Sequence, residues 1–115
     1  MIKNLEKIYK ALADRNRLRI LKMLEVRPLC VCEITYVMGI AQPSVSRHLA
    51  ILRDAELVGG IKNGQWTSYS LSAGTDDAVA TLVTSLRRWG NDDLQVTADR
   101  TKLPGARREN LCGKP

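Results

Sequence analysis

The sequence predicts a mainly α-helical domain carrying one β-hairpin. Three observations lead there: apolar residues at helical spacing recur through the first 57 positions, Asn63-Gly64 separates two β-rich segments, and another amphipathic stretch follows.

Ile2, Leu5, Ile8, Tyr9 and Leu12 share one helical face, with Lys3, Glu6, Lys7 and Lys10 on the other. Asp14 reads as the N-cap of a second helix. Its buried stripe is Leu18, Ile20, Leu21, Met23 and Leu24, its wet face is Arg15, Arg17, Arg19 and Lys22, and Pro28 stops it. A short third helix covers Glu33 to Met38 and ends at Gly39, which tolerates the left-handed conformation. A fourth runs from Gln42 to Leu57, with Pro43 suited to its first position and Val45, Leu49 and Leu52 inward. Its opposite side carries Pro43, Ser46, Arg47, Ala50 and Asp54, short side chains around one projecting arginine. A short helix, a glycine turn and a helix with a small, hydroxyl-rich outer face form the helix-turn-helix pattern, in which small residues let the backbone approach base edges.

Val58–Lys62 and Gln65–Leu71 flank Asn63-Gly64 and read as a two-stranded wing. Thr75 caps a last helix through Trp89, with Asp76 and Asp77 in its first turn and Arg87 and Arg88 in its last. The whole is a winged helix-turn-helix over residues 1–90. Residues 91–115 show no sustained periodicity and read as a flexible C-terminal tail.

At 115 residues the chain is one domain. Its net charge of +6 favours polyanions, and residues 1–89 hold most of it, with 13 Lys and Arg against 8 Asp and Glu. No apolar run approaches the roughly 18 residues of a membrane span and the N-terminus lacks a signal-peptide core, so a cytoplasmic location and no membrane partner are expected. Three cysteines in that compartment are expected as free thiols. One histidine, no phosphate-cradling glycine loop and no Gly-x-Ser-x-Gly argue against an enzyme.

In a DNA-binding reading Arg47 suits a bidentate contact to a guanine edge, and Gln42, Ser44 and Ser46 suit shorter bonds to bases or phosphates. Arg53 and Lys62 suit backbone contacts, with Asn63 beside Lys62 at the wing tip. His48 lies at the margin of the buried side and reads as a packed or phosphate-touching imidazole rather than a metal ligand. A winged-helix protein-interaction module is the bland alternative. Cys30-Val31-Cys32 is open between two small buried hydrophobes and a ligand pair. Its place at the first turn of the helix before the reading helix favours thiolate and would pass any distortion to the DNA-reading element.

Leu29-Cys30-Val31-Cys32-Glu33-Ile34, Gln42 to Leu49 and Gly64 to Leu71 together resemble the arsenic-responsive repressors of the ArsR/SmtB family, over roughly residues 5–90. The resemblance implies a homodimeric repressor of an arsenic-resistance operon, released from its operator by As(III) or Sb(III) as inducer. Many relatives carry a third thiol three residues after the second, where this chain has Thr35. Trivalent arsenic prefers three thiolates. Cys112 is the remaining one, which makes the expected ligand set Cys30, Cys32 and Cys112. A two-thiol site would favour monosubstituted arsenicals, and cadmium or lead are alternative soft ligands. Zinc, which prefers four ligands, would also need His48.

The first helix and the last helix offer more apolar surface than a small winged helix covers, so Leu5, Ile8, Leu12, Val79, Leu82, Val83, Leu86 and Trp89 are the expected dimer interface. Two reading helices would then address half-sites about 34–36 Å apart on an imperfectly palindromic duplex. The rival readings are a small thiol enzyme, for which no Cys-x-x-Cys or cysteine–base pair is evident, and a constitutive architectural DNA-binding protein with silent cysteines.

Overall fold

The computed structural model describes residues 1–72 and 76–112. Helix α1 (Ile2–Leu12) turns Ile8 and Ala11 into the core. Helix α2 (Arg15–Leu24) starts where expected: the Asp14 carboxylate accepts the Arg17 backbone N–H at 3.1 Å. The Arg17 guanidinium reaches back and donates to the carbonyls of Ala11 (2.7 Å) and Lys10 (3.0 Å). One side chain thereby satisfies the open end of α1 and fixes the angle between the two helices.

Ile20, Leu21, Met23 and Leu24 are buried as the pattern predicts, but two neighbours exchange roles. Leu18 is 37% exposed, whereas Lys22, expected on the wet face, is 4% exposed. Its ammonium donates to the Leu86 carbonyl at 2.7 Å and pairs with Glu25 at 2.9 Å, and a lysine so paired can be buried.

A strand not anticipated from the sequence, β1 (Leu29–Cys30), follows Pro28, and α3 (Val31–Met38) begins directly behind it. The start lies two residues earlier than expected because the Glu33 carboxylate accepts the Cys30 backbone N–H at 2.7 Å and closes the first turn. Gly39 ends α3 at φ 68°. Helix α4 (Gln42–Asp54) follows, with Pro43 in its first turn and Val45, Leu49 and Leu52 inward, so the helix-turn-helix is present as expected. It ends ahead of Leu57, and Glu56 takes φ 62° there.

Strands β2 (Val58–Asn63) and β3 (Trp66–Leu71) form the wing. The sheet is antiparallel with order β1-β3-β2; Leu29 faces Tyr69 and Cys30 faces Ser68. Asn63 pairs with Trp66, which moves the two-residue turn to Gly64-Gln65. Only the first turn residue needs the left-handed region (Gly64, φ 63°), the requirement of a type II′ turn, in place of the Asn63-Gly64 turn expected.

Helix α5 (Asp77–Leu86) is capped by Asp76, which accepts from the N–H groups of Ala78 (2.8 Å) and Val79 (3.3 Å). The expected cap Thr75 lies outside the described residues, and the helix stops at Leu86 rather than at Trp89.

The largest difference from expectation lies beyond Gly90. Residues read as an irregular tail form α6 (Leu94–Lys102), a 3-10 turn (Leu103–Gly105) and α7 (Arg108–Leu111). What docks α6 on α2 is largely charge. Asp99, 2% exposed, accepts from Arg19 Nε and Nη2, both at 2.9 Å, and from Gln95 at 2.9 Å. Arg100 donates to Glu25 (2.9 Å) and to the Lys22 carbonyl (3.2 Å). Leu103 and Ala106 then enter the main core, and the Arg27 guanidinium holds their carbonyls at 3.1 and 2.7 Å. Among the described residues no helix is long and apolar enough to cross a membrane.

Candidate nucleic-acid interface and thiol pair

Burial of Val45, Leu49 and Leu52 turns the other side of α4 outward. Gln42, Ser46, Arg47 and Arg53 are exposed, while Ser44 and His48 are half-buried. Among the described residues the side chains of Gln42, Ser44, Ser46, Arg47, Arg53 and Lys62 make no hydrogen bond or ion pair, so their donors are free for an external partner. His48 differs: its Nδ1 lies 3.4 Å from Arg17 Nη1, which places it at the junction of α2 and α4. Beside it, burial pushes the Asp14 carboxyl up, but the Arg17 N–H, the Arg17 guanidinium and the charge of His48 outweigh this and hold it below its ordinary value. Asp54, the acid of the outer face, pairs with Lys7 of α1 at 3.3 Å.

The wing continues this surface. Lys62 and Asn63 are exposed beside the turn, and Asn63 Nδ2 lies 3.5 Å from Ser68 Oγ. Gly60 permits close packing at the base of the wing. A Cβ built there would sit 3.3 Å from Thr67 Cγ2, 3.4 Å from the Tyr69 ring and 3.7 Å from the Arg53 guanidinium. Between α4 and the wing lies a concavity of about 530 Å³ bordered by Ser46, Ala50, Arg53 and Tyr69.

The three cysteines divide. Cys32, half-buried in the first turn of α3, is disulfide-bonded to Cys112 at the end of α7, with Cα atoms 5.5 Å apart. This corrects the expectation of three free thiols. The reason is α6 and its charged dock, which return the chain to α3 and carry position 112 to position 32. Cys30 remains free but buried at 3% exposure, its sulfur 3.8 Å from Ser68 Oγ of β3. Two sulfurs of the expected set are therefore together and the third faces the wing. Among the described residues no group of three or more His, Cys, Asp or Glu is placed to hold a metal ion. Once reduced, the Cys32–Cys112 pair fits a soft, thiophilic atom taking two sulfurs.

Of the expected dimer contacts, Ile8, Val79 and Val83 lie in the core of their own protomer, and Leu5, Leu12, Leu82 and Leu86 are half-buried. Trp89 is 63% exposed, and on α1 Ile2 and Tyr9 add 79% and 58%. Ile2 and Tyr9 share the apolar face read for the first helix, a signal that periodicity alone could not divide between core and outside. Arg107 and Arg108, at the start of α7, carried no motif.

A family model described as "Bacterial regulatory protein, arsR family" matches residues 14–59, from the cap of α2 into β2. The "Arsenic resistance transcriptional regulator ArsR1" of Pseudomonas putida is 43% identical over 102 residues, covering 84% of this chain and 80% of the relative. The "Arsenical resistance operon repressor" of Escherichia coli is 36% identical over 90 residues, 77% of each. Among solved structures, the homodimeric winged helix-turn-helix DNA-binding domain of Mb0332 from Mycobacterium bovis superimposes with a TM-score of 0.65 at 25% identity, covering 76% of this chain and 78% of that one. The helix-turn-helix, the hairpin wing and these likenesses agree: the chain belongs to the arsR family of bacterial regulatory proteins.

Proposed function

We propose that the chain is a transcriptional repressor that binds operator DNA as a homodimer and releases it when trivalent arsenic or antimony takes its thiolates. It would act in the cytoplasm, where cellular reductants keep the thiols reduced. The observation that carries this is the meeting of Cys32 and Cys112 on the first turn of α3, one glycine turn upstream of α4. Relatives named as arsenical resistance repressors support the same reading.

On DNA, α4 lies in the major groove with Arg47 on a guanine edge and Gln42, Ser44 and Ser46 on bases or phosphates. Arg53, Lys62 and Asn63 take the flanking backbone, and His48 stays with Arg17 to hold the helix at its angle. The exposed apolar positions of α1 and the end of α5, Ile2, Tyr9 and Trp89 with Leu5, Leu12, Leu82 and Leu86, pair across a two-fold axis. The two α4 helices then meet an imperfect palindrome at a spacing of about 34–36 Å.

Trivalent arsenic supplies a soft centre that bonds two or three thiolate sulfurs. Cys32 and Cys112 would hold the ligand. Cys30 would have to leave Ser68 to add its own sulfur, which would disturb the β1–β3 pairing next to the first turn of α3, and the Gly39 turn would pass that movement to α4. By linkage, operator DNA weakens ligand binding by the factor that the ligand weakens DNA binding.

A second reading follows from the place of Cys30: with its sulfur against the wing, the pair suits a monosubstituted arsenical, whose organic group fills one valence. A gel shift on DNA upstream of the chain's own gene, with the protein reduced, tests the proposal. Release by arsenite in the wild type and persistent binding in Cys32→Ser support it; binding by the wild type that ignores both arsenite and phenylarsenite contradicts it.

A further inference from the structure

Helix α7 has no part in the reading so far except to carry Cys112. Its first residue, Arg108, reaches the wing. The Arg108 guanidinium carbon lies 4.3 Å from the centre of the Trp66 ring, and Trp66 is the residue paired with Asn63 at the wing tip. An arginine stacked on an indole is held by cation–π attraction while the edge of its fork stays able to donate. Its one ion pair is weak: Nε is 3.7 Å from Glu109, whose side chain is 64% exposed. Arg107 is exposed, and its side chain has no hydrogen bond or ion pair among the described residues.

The third arginine nearby, Arg27, is already committed to Glu33 and to the Leu103 and Ala106 carbonyls. It braces the floor of an open concavity of about 570 Å³ that Arg107, Arg108, Asn110 and Ser68 border. Among the described residues the less committed cations therefore lie at the start of α7, with Arg107 unpaired and Arg108 tied to Glu109 and the Trp66 ring, beside the wing tip where Lys62 is free. Its only acid is the exposed Glu109.

We infer that the start of α7 is a second phosphate-binding arm: Arg107 and Arg108, the latter stacked on Trp66, contact the DNA backbone beside the phosphates taken by the wing. The inference rests on the DNA-binding reading above. Two arginines with unspent donors fit a phosphodiester, whose recognition needs charge and forked N–H groups and no particular base. The arm's position also depends on the thiol pair, because the Cys112 backbone N–H donates to the Arg108 carbonyl at 2.8 Å, one turn away from the stacked side chain. Chemistry that moves Cys112 moves Arg108.

The test is the dependence of duplex affinity on salt, measured by fluorescence anisotropy on the full chain, with operator and unrelated duplexes. Each phosphate contact contributes about 0.9 to the slope of log K against log salt. In the double variant Arg107→Gln/Arg108→Gln the slope is expected to flatten by about 1 per arginine in each protomer, with equal fold-losses on both duplexes. Glu109→Gln, which removes the opposing carboxylate, is expected to tighten binding to both duplexes severalfold, and Lys102→Gln on α6 leaves the slope unchanged. Wild-type binding with an unaltered slope in the double variant overturns the arm and leaves the DNA reading standing. No salt-dependent binding by the wild type overturns both.

Discussion

Replacing Asp99 by Ala tests what holds α6, and so what delivers Cys112. The Asp99 carboxylate is 2% exposed and receives both Arg19 donors at 2.9 Å, while the Arg19 side chain is itself only 15% exposed. Those hydrogen bonds raise the Arg19 pKa against the opposing effect of burial, and among the described residues Asp99 is the one carboxylate paired with the guanidinium. Asp99→Ala leaves that charge buried and uncompensated, a situation that costs about 3–5 kcal/mol. Urea unfolding of the reduced protein, followed by far-ultraviolet circular dichroism, reads the loss. A second readout is the rate at which a mild oxidant joins Cys32 to Cys112, expected to fall as α6 leaves α2. In Arg19→Met/Asp99→Leu most of the stability is expected to return, because the pair is replaced rather than broken. A loss under about 1 kcal/mol in Asp99→Ala would place the pair among solvent-screened surface bridges and refute the reasoning.

Arg47→Ala is expected to cost about 1–3 kcal/mol on operator DNA and to relax the preference at one base position, checked by competition with single-base variants of the site. Asp14→Ala removes the α2 cap and is expected to cost about 1 kcal/mol at neutral pH. Because the folded carboxyl ionises below its ordinary value of 3.8, this contribution is present above that value and fades as pH falls through the lowered one, so the wild-type and variant urea midpoints converge in acid. Glu56 holds a left-handed φ of 62°, and Glu56→Gly is expected to stabilise by about 0.5–1 kcal/mol, measured by thermal unfolding.

The helix-turn-helix was legible because the inward stripe Val45, Leu49 and Leu52 and the small outer residues of α4 are separate signals that agree. Asp14 was legible as a cap because its chemistry is local. Strand β1 was not, since a two-residue strand is defined by its partner β3 and shows no period of its own. Helix α6 escaped for a different reason: its docked face is built around Asp99 and Arg100, with Val96 its buried apolar residue, and apolar periodicity does not detect an ionic dock. The dock also touches Lys22, through the Glu25 carboxylate that Lys22 shares with Arg100. The sequence had already grouped Cys112 with Cys32 in one expected ligand set; what it did not show was α6, the route that brings them together across 80 residues. Within the hairpin, Gly64 was correctly placed at the turn, and the shift by one residue came from pairing Asn63 with Trp66.

The central claim is that one soft ligand joins α3 to α7 through Cys32 and Cys112. Arsenic K-edge absorption of the reduced, arsenite-loaded protein counts the sulfur atoms on arsenic directly. The expected result is a sulfur shell in the wild type that loses one sulfur in Cys32→Ser and one in Cys112→Ser. A shell unchanged by Cys112→Ser, or one made of oxygen alone in the wild type, would contradict it.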